Sequence, residues 1–213
     1  VESANIPFTN YRATNLEPET EYFWRVRPNN GCGTGTFGTT FSFVTAQVDC
    51  KNREPNDLPL AISASGTPSV TTSVLFVEDL PISDVNVNLE LDHTYVEDLI
   101  ITLTSPEGTV VTLISNTCGE ANNINAVFDD DGSPVTCGDN PAISGTVTPL
   151  GSLASLKGES ILGEWVLEIQ DTAASDGGTL IGFSLDVCIE GNYRPDEDEE
   201  GVFDDGDDLC LGP

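Results

Sequence analysis

The amino-acid sequence predicts an all-β protein built as a sandwich, and three observations carry that reading. Val85, Val87, Leu89 and Leu91 alternate with polar residues, the period-two pattern of a strand with one buried face. Short apolar runs of this kind recur, divided by clusters of Gly, Pro, Ser and Asp that signal turns. No stretch repeats its apolar residues at helical spacing, so strands must supply the core.

Taken in order, residues 1–46 hold two strand-like runs. Tyr22, Trp24 and Val26 alternate as one apolar face, and Phe41, Phe43 and Thr45 as another. Residues 47–58 are polar and read as a linker that carries Lys51 and Arg53. Further strands are expected at 60–62, 70–77, 85–91, 98–104, 109–114, 165–169 and 180–187. The turn Ser105-Pro106-Glu107-Gly108 ends the 98–104 run.

Composition narrows the function. The 213 residues carry 36 acidic and 7 basic side chains, a formal net charge of −29. Nucleic-acid binding is excluded as a main role, since it needs clustered Lys and Arg. Such an acid excess suits a self-repelling extracellular surface, and also a divalent cation such as calcium. No apolar run reaches membrane-spanning length, so insertion into a bilayer is not expected. The start at Val1 and the absence of methionine point to a processed product or a fragment. Six cysteines at wide spacings fit disulfides better than zinc, and disulfides imply an oxidising, secreted setting. Cys118 and Cys137 flank one Asp- and Asn-rich loop and are expected to pair, a closure worth roughly 3 kcal/mol. Cys32 and Cys210 fall in different segments, and no pairing is assigned to them.

The stretch His93-Thr94-Tyr95-Val96-Glu97-Asp98-Leu99, continued to Thr109, resembles the core motif of the P domain (P/Homo B domain). That domain follows the catalytic domain of furin- and kexin-type proprotein convertases and also occurs as a module in bacterial secreted proteins. Glu97 departs from the pattern, standing where the family has glycine. Further motifs follow in family order: Phe128-Asp129-Asp130-Asp131-Gly132, then Gly145 to Gly158, then Gly163-Glu164-Trp165 through Asp171, then Asp176-Gly177-Gly178-Thr179-Leu180. In the second of these, Leu156 replaces the usual phenylalanine. The resemblance spans roughly 60–189, implies a jelly-roll β-sandwich over 59–190, and places Cys50 and Cys188 where they would clip its two ends together.

The flanks resemble other modules. Leu16-Glu17-Pro18-Glu19-Thr20-Glu21-Tyr22 is similar to the sequence before a late strand of a fibronectin type III domain. Tyr22 would then tie its hydroxyl to the backbone, and 1–46 would be the C-terminal part of that domain. About three strands cannot bury a core alone, so this segment should pack on its neighbour or be completed by another chain. Residues 191–213 resemble a thrombospondin type 3 repeat, an acidic loop that wraps a cation. Its expected ligands are Asp196, Asp198, Glu200, Asp204 and Asp207. An acidic linker without a cation is the competing reading.

Catalytic chemistry finds little support. His93 is the one histidine, and no serine sits in a nucleophile motif. His93 is expected to be a hydrogen-bonded turn residue at the sheet edge, and soft zinc ligands are too few. Calcium takes roughly six to eight oxygens from carboxylates, carbonyls and water. Asp98, Asp129, Asp130, Asp131, Asp171 and Asp176 fall at expected strand ends or loops, with Asn122, Asn123 and Asn125 nearby. The resemblance implies that these elements converge towards one end of the sandwich and hold calcium there. Asp171-Thr172-Ala173 resembles an acceptor motif for bacterial O-glycosylation at Thr172.

These features predict a secreted or cell-surface, non-catalytic, calcium-binding interaction module of adhesin type. Its partners would be neighbouring domains, copies of the same chain, or a cell-surface glycan or protein ligand. One alternative is the accessory P domain of a secreted subtilisin-like serine protease. Another is the subunit of an extracellular fibre assembled by strand sharing.

Overall fold

A computed structural model describes residues 13, 16, 19–30, 33–45 and 47–190. The expected ligands Asp196, Asp198, Glu200, Asp204 and Asp207, with Cys32 and Cys210, lie outside the described residues. The chain divides into two compact units at Gln47/Val48.

In the first unit, β1 (Glu21–Trp24) pairs antiparallel with a later strand, Phe41–Val44. Between them β2 (Asn29–Asn30) and β3 (Gly33–Thr34) make a short ladder, so Phe41–Val44 is β4. Tyr22 lies opposite Phe43 with ring centroids 5.8 Å apart, and Trp24 opposite Phe41 at 4.9 Å. These direct cross-strand aromatic pairs are the stabilising unit of the hairpin. Trp24 and Phe41 nevertheless stay about half exposed, at 49% and 52%.

The second unit is a β-sandwich. Its strands are β5 (Val48–Arg53), β6 (Leu60–Ile62), β7 (Ser69–Phe76), β8 (Ile82–His93) and β9 (Leu99–Thr104). They continue as β10 (Val110–Ser115), β11 (Ile124–Ser133), β12 (Ile143–Val147), β13 (Gly163–Asp171) and β14 (Gly178–Glu190). One sheet runs β10-β9-β13-β7. The other runs β12-β11-β8-β14-β5, with β6 also paired to β14. All of these neighbours are antiparallel except β11 and β12.

The alternation in β8 turns Val85, Val87, Leu89 and Leu91 into one core with Leu185, Val187 and Ile189 of β14. Leu99, Ile101, Leu103, Trp165, Leu167 and Ile169 join that core from the other sheet. Trp165 is fully buried, and it keeps its indole N–H bonded to the Ile161 carbonyl at 3.1 Å. Phe76 meets it edge-on at 6.4 Å. A side chain cannot replace Gly178, since a Cβ there would stand 1.9 Å from the Asp92 carbonyl oxygen. This close approach lets β14 start hard against the end of β8.

The expected plan changes in several places, and β11 and β12 fall between 114 and 165, where no strand was expected. Residues 48–53, read as linker, form β5, the edge strand on β14. A polar strand with Lys and Arg is ordinary at an edge, where only one side is paired and charge discourages aggregation. Cys50 lies directly opposite Cys188, and the two form a disulfide that fastens this edge. The strand expected at 98–104 begins one residue later, because 96–98 closes a 3-10 turn with Val96 buried beneath it.

Candidate functional site

The six aspartates expected to share calcium in the sandwich fall into two groups at opposite ends of β8. Strand β11 runs antiparallel to β8 with Phe128 opposite Val87, so Asp129, Asp130 and Asp131 follow at the Val85 end. Asp171 pairs with Leu99 and contacts His93 at the far end of β8. From Val87 to His93 a strand rises roughly 20 Å. The convergence implied by the family resemblance therefore does not occur. The reason is register: one continuous strand separates the groups, and Asp129–Asp131 extend β11 instead of lying in a free loop.

At the first end, β8 stops at His93 and the chain turns through 96–98 into β9. His93 is 1% exposed and lies in the core, where an edge position had been expected. Its ring Nδ1 lies 2.9 Å from the Tyr95 carbonyl oxygen, and its Nε2 lies 3.4 Å from Asp171 Oδ2. Asp171 is fully buried, and its other oxygen accepts the Ala173 N–H at 3.1 Å. Since β8 and β13 belong to different sheets, this buried pair is a polar link across the sandwich. Asp176 Oδ1 accepts the Thr94 hydroxyl at 3.0 Å.

Asp98 differs from these partners. Partial burial, then the Asp171 and Asp176 carboxylates, push it above its ordinary carboxylate value, against a smaller downward pull from His93. Tyr95 is raised too, by burial first and then by Glu120, Glu97, Asp98 and Asp176. The whole end is a region of negative potential. The Cys118–Cys137 disulfide closes the loop packed against it. Gly119 and Ala121 in that loop accept the Glu97 and Val96 N–H groups.

At the other end, Asp130 is occupied. Its Oδ2 accepts the Ser152 hydroxyl and the Ala154 N–H, both at 2.7 Å, and its Oδ1 the Leu153 N–H at 3.0 Å. These N–H groups open the 3-10 helix Leu153–Leu156, so Asp130 satisfies its free donors as a capping residue would. Burial raises the Asp130 pKa, but these bonds and Lys157 outweigh it and leave the group below its ordinary value. Asp129 Oδ1 accepts the Asp131 N–H at 2.8 Å, an Asx turn. Gly132 lets two backbones touch, since a Cβ there would lie 2.7 Å from the Val147 carbonyl carbon.

Among the described residues, no group of three or more His, Cys, Asp or Glu side chains is placed to hold a metal. The six aspartates do not share one calcium, since Asp129, Asp130 and Asp131 lie at one end of β8 and Asp98, Asp171 and Asp176 at the other. Asn123 Oδ1 accepts the His93 N–H at 2.9 Å, and Asn122 contributes its backbone to the loop. Thr172 is exposed, and its hydroxyl donates to the Asp98 carbonyl oxygen at 2.7 Å. The partners that sequence reasoning missed are Ser152, with the amides behind it, and Thr94. Ser152 directly before an apolar turn is an N-cap signal that could have revealed the role of Asp130.

Residues 82–187 match the family model of the proprotein convertase P-domain. Over these residues the sandwich resembles a P domain. Two calcium-dependent proteases align with 110 residues of this chain, from Trichormus variabilis at 27% identity and Nostoc sp. at 28%. The alignment covers 50% of the chain but 14% of either protease, so the chain spans a small part of these relatives. The crystal structure of the Aeromonas sobria serine protease with its chaperone superposes with a TM-score of 0.48 at 18% identity. That match covers 79% of this chain and 36% of the protease. No helix among the described residues is long and apolar enough to cross a membrane.

Proposed function

We propose that the sandwich is the accessory P domain of a secreted protease and carries no catalytic group itself. The observation behind this is the P-domain match over 82–187 together with alignment to a short part of two calcium-dependent proteases. It favours the accessory role over the adhesin-type interaction module, which the sequence had ranked first. His93 supports the non-catalytic reading, because its ring is buried between Tyr95 and Asp171, out of reach of a substrate. The two disulfides fit an oxidising, extracellular setting.

In this reading the module contributes rigidity. Its first and last strands are fastened by Cys50–Cys188, so a neighbouring domain joined at either end meets a firm edge. Calcium belongs to the reading through the name of the relatives. We place calcium binding on the acidic pattern at Asp196, Asp198, Glu200, Asp204 and Asp207, where the first three carboxylates alternate along the chain as a loop round a cation requires. The fibronectin-like assignment of 1–46 stays a proposal resting on Tyr22 and its alternating aromatic neighbours.

Deleting residues 48–190 from the whole parent protein tests the accessory role. Casein hydrolysis and the yield of soluble protease should both fall sharply. A parent that does not hydrolyse casein, or one that hydrolyses it equally well without the module, would return the interaction-module reading to first place.

A further inference from the structure

The outer face of the six-stranded sheet treats its polar groups in two ways. On β5, β14 and β8 they bond one another. The Asp186 carboxylate accepts Asn52 Nδ2 at 2.6 Å on one oxygen and Asn88 Nδ2 at 2.7 Å on the other. Asn52 also reaches Ser184 Oγ at 3.3 Å. Beside this closed network stand Glu54, Glu90, Asn125 and Thr146. All four are exposed, and among the described residues their side chains have no hydrogen-bond partner.

These four side chains line one open groove of about 610 Å³, walled by Leu58 and Ile181. Glycine keeps its floor low. Gly182, just after the β-bulge in β14, lies opposite Glu90, and a Cβ there would crowd the Glu90 Cβ at 3.3 Å. Gly145 has a left-handed φ of 76° and open space above it. The lining draws on β12, β11, β8 and β14 and on the turn after β5. At the usual strand spacing it crosses the sheet over roughly 19 Å.

We propose that this groove binds a neutral polysaccharide chain. Charge removes the anionic ligands first: no Lys or Arg lines the groove, two carboxylates do, and the chain carries a net charge of −29. Phosphates, sulfated glycans and acidic peptides are repelled. Among uncharged ligands the lining matches sugar hydroxyls, which donate and accept at the same atom. The Asn125 amide and the Thr146 hydroxyl do both, and Glu54 and Glu90 accept strongly from neighbouring hydroxyls. Leu58 and Ile181 supply apolar walls for the C–H faces of the rings. The open shape suits a chain lying across strands better than a small enclosed molecule. This inference stands on the sheet face alone and does not depend on the protease assignment.

Native gels containing soluble galactomannan, xyloglucan or dextran test it with the whole chain. At least one polysaccharide should retard migration. The double variant Glu90→Ala/Asn125→Ala should weaken that retardation about tenfold, the loss expected for two hydrogen-bonding groups. Thr146→Arg, which fills the groove from an exposed position, should abolish it, whereas Glu168→Ala on the other sheet should leave it unchanged. Melting curves would confirm that each variant is folded. No retardation in any of the three gels, or retardation indifferent to the groove variants, overturns the proposal. So does capture of a fluorescent lysine-rich peptide that is lost in the same variants, which would make the groove a site for basic protein segments.

Discussion

The two acidic ends of the sandwich contain the same residue type and treat it oppositely. At the β11 end Asp130 faces a hydroxyl, two backbone N–H groups and a lysine, and its proton is held less tightly than usual. At the β8 end Asp98 faces Asp171 and Asp176, and its proton is held more tightly. A carboxylate is therefore defined by the donors or charges the fold brings to it, and local sequence is a poor guide. Both ends read as Asp-rich calcium candidates, yet one caps a helix and the other is a buried polar link beside an unrelieved negative charge.

The largest expected effect tests that link. His93→Ala leaves the fully buried Asp171 without its ring partner and should cost about 3–5 kcal/mol in urea unfolding. A loss well under 1 kcal/mol would mean that the two sheets are not tied there. Next comes the loop packed on the same end. Cys118→Ser with Cys137→Ser should cost about 3 kcal/mol, and it should raise hydrogen exchange first at Val96 and Glu97, whose N–H groups the loop accepts.

Asp130→Ala is smaller, about 1–2 kcal/mol, the cost of removing the acceptor for the Leu153 and Ala154 N–H groups at the helix start. Its pH dependence has a definite sign. The folded pKa lies below the ordinary 3.8, so the contribution is full above that pH and is lost as pH falls through the folded value. The variant and the parent should therefore approach each other in stability under strong acid. If their difference is the same at neutral and at strongly acid pH, the bonds to charged Asp130 are not what stabilises this end.

The smallest effect is the most discriminating. Folded Asp98 binds its proton more tightly than the unfolded chain, so stability falls as pH rises from about 3.8 through the folded value. Asp98→Asn should then raise the melting temperature slightly at neutral pH and have no such effect below pH 3.8. With millimolar calcium at fixed ionic strength, the rise should persist. A calcium-dependent stabilisation that disappears in Asp98→Asn would show this aspartate to be a ligand after all, and the contrast between the ends would collapse.

Much of this protein was legible in its residues. The alternation at Val85–Leu91, the turn at Ser105–Gly108 and the ordered motifs from His93 to Leu180 carry the strand plan and the P-type sandwich, because period-two burial is a local property of a chain. Both disulfide pairs within the sandwich were also readable, since each lies at the ends of a recognisable segment. Strand β5 was not. An edge strand buries little, so its composition is that of a linker until β14 lies beside it.

The fate of each aspartate depended on tertiary structure alone. Whether Asp129–Asp131 meet Asp171 turns on the direction in which β11 runs along β8, and how loosely Asp130 holds its proton turns on Ser152 and its neighbours arriving from a separate segment. The same holds for the groove, whose Glu54, Glu90, Asn125 and Thr146 come from four separate parts of the chain. Sequence by itself determined which residues face inwards, through the pleat of each strand. Electrostatics and hydrogen bonding act through space over a few ångströms, so only the assembled sheets decided which polar groups are satisfied and which stay free to bind.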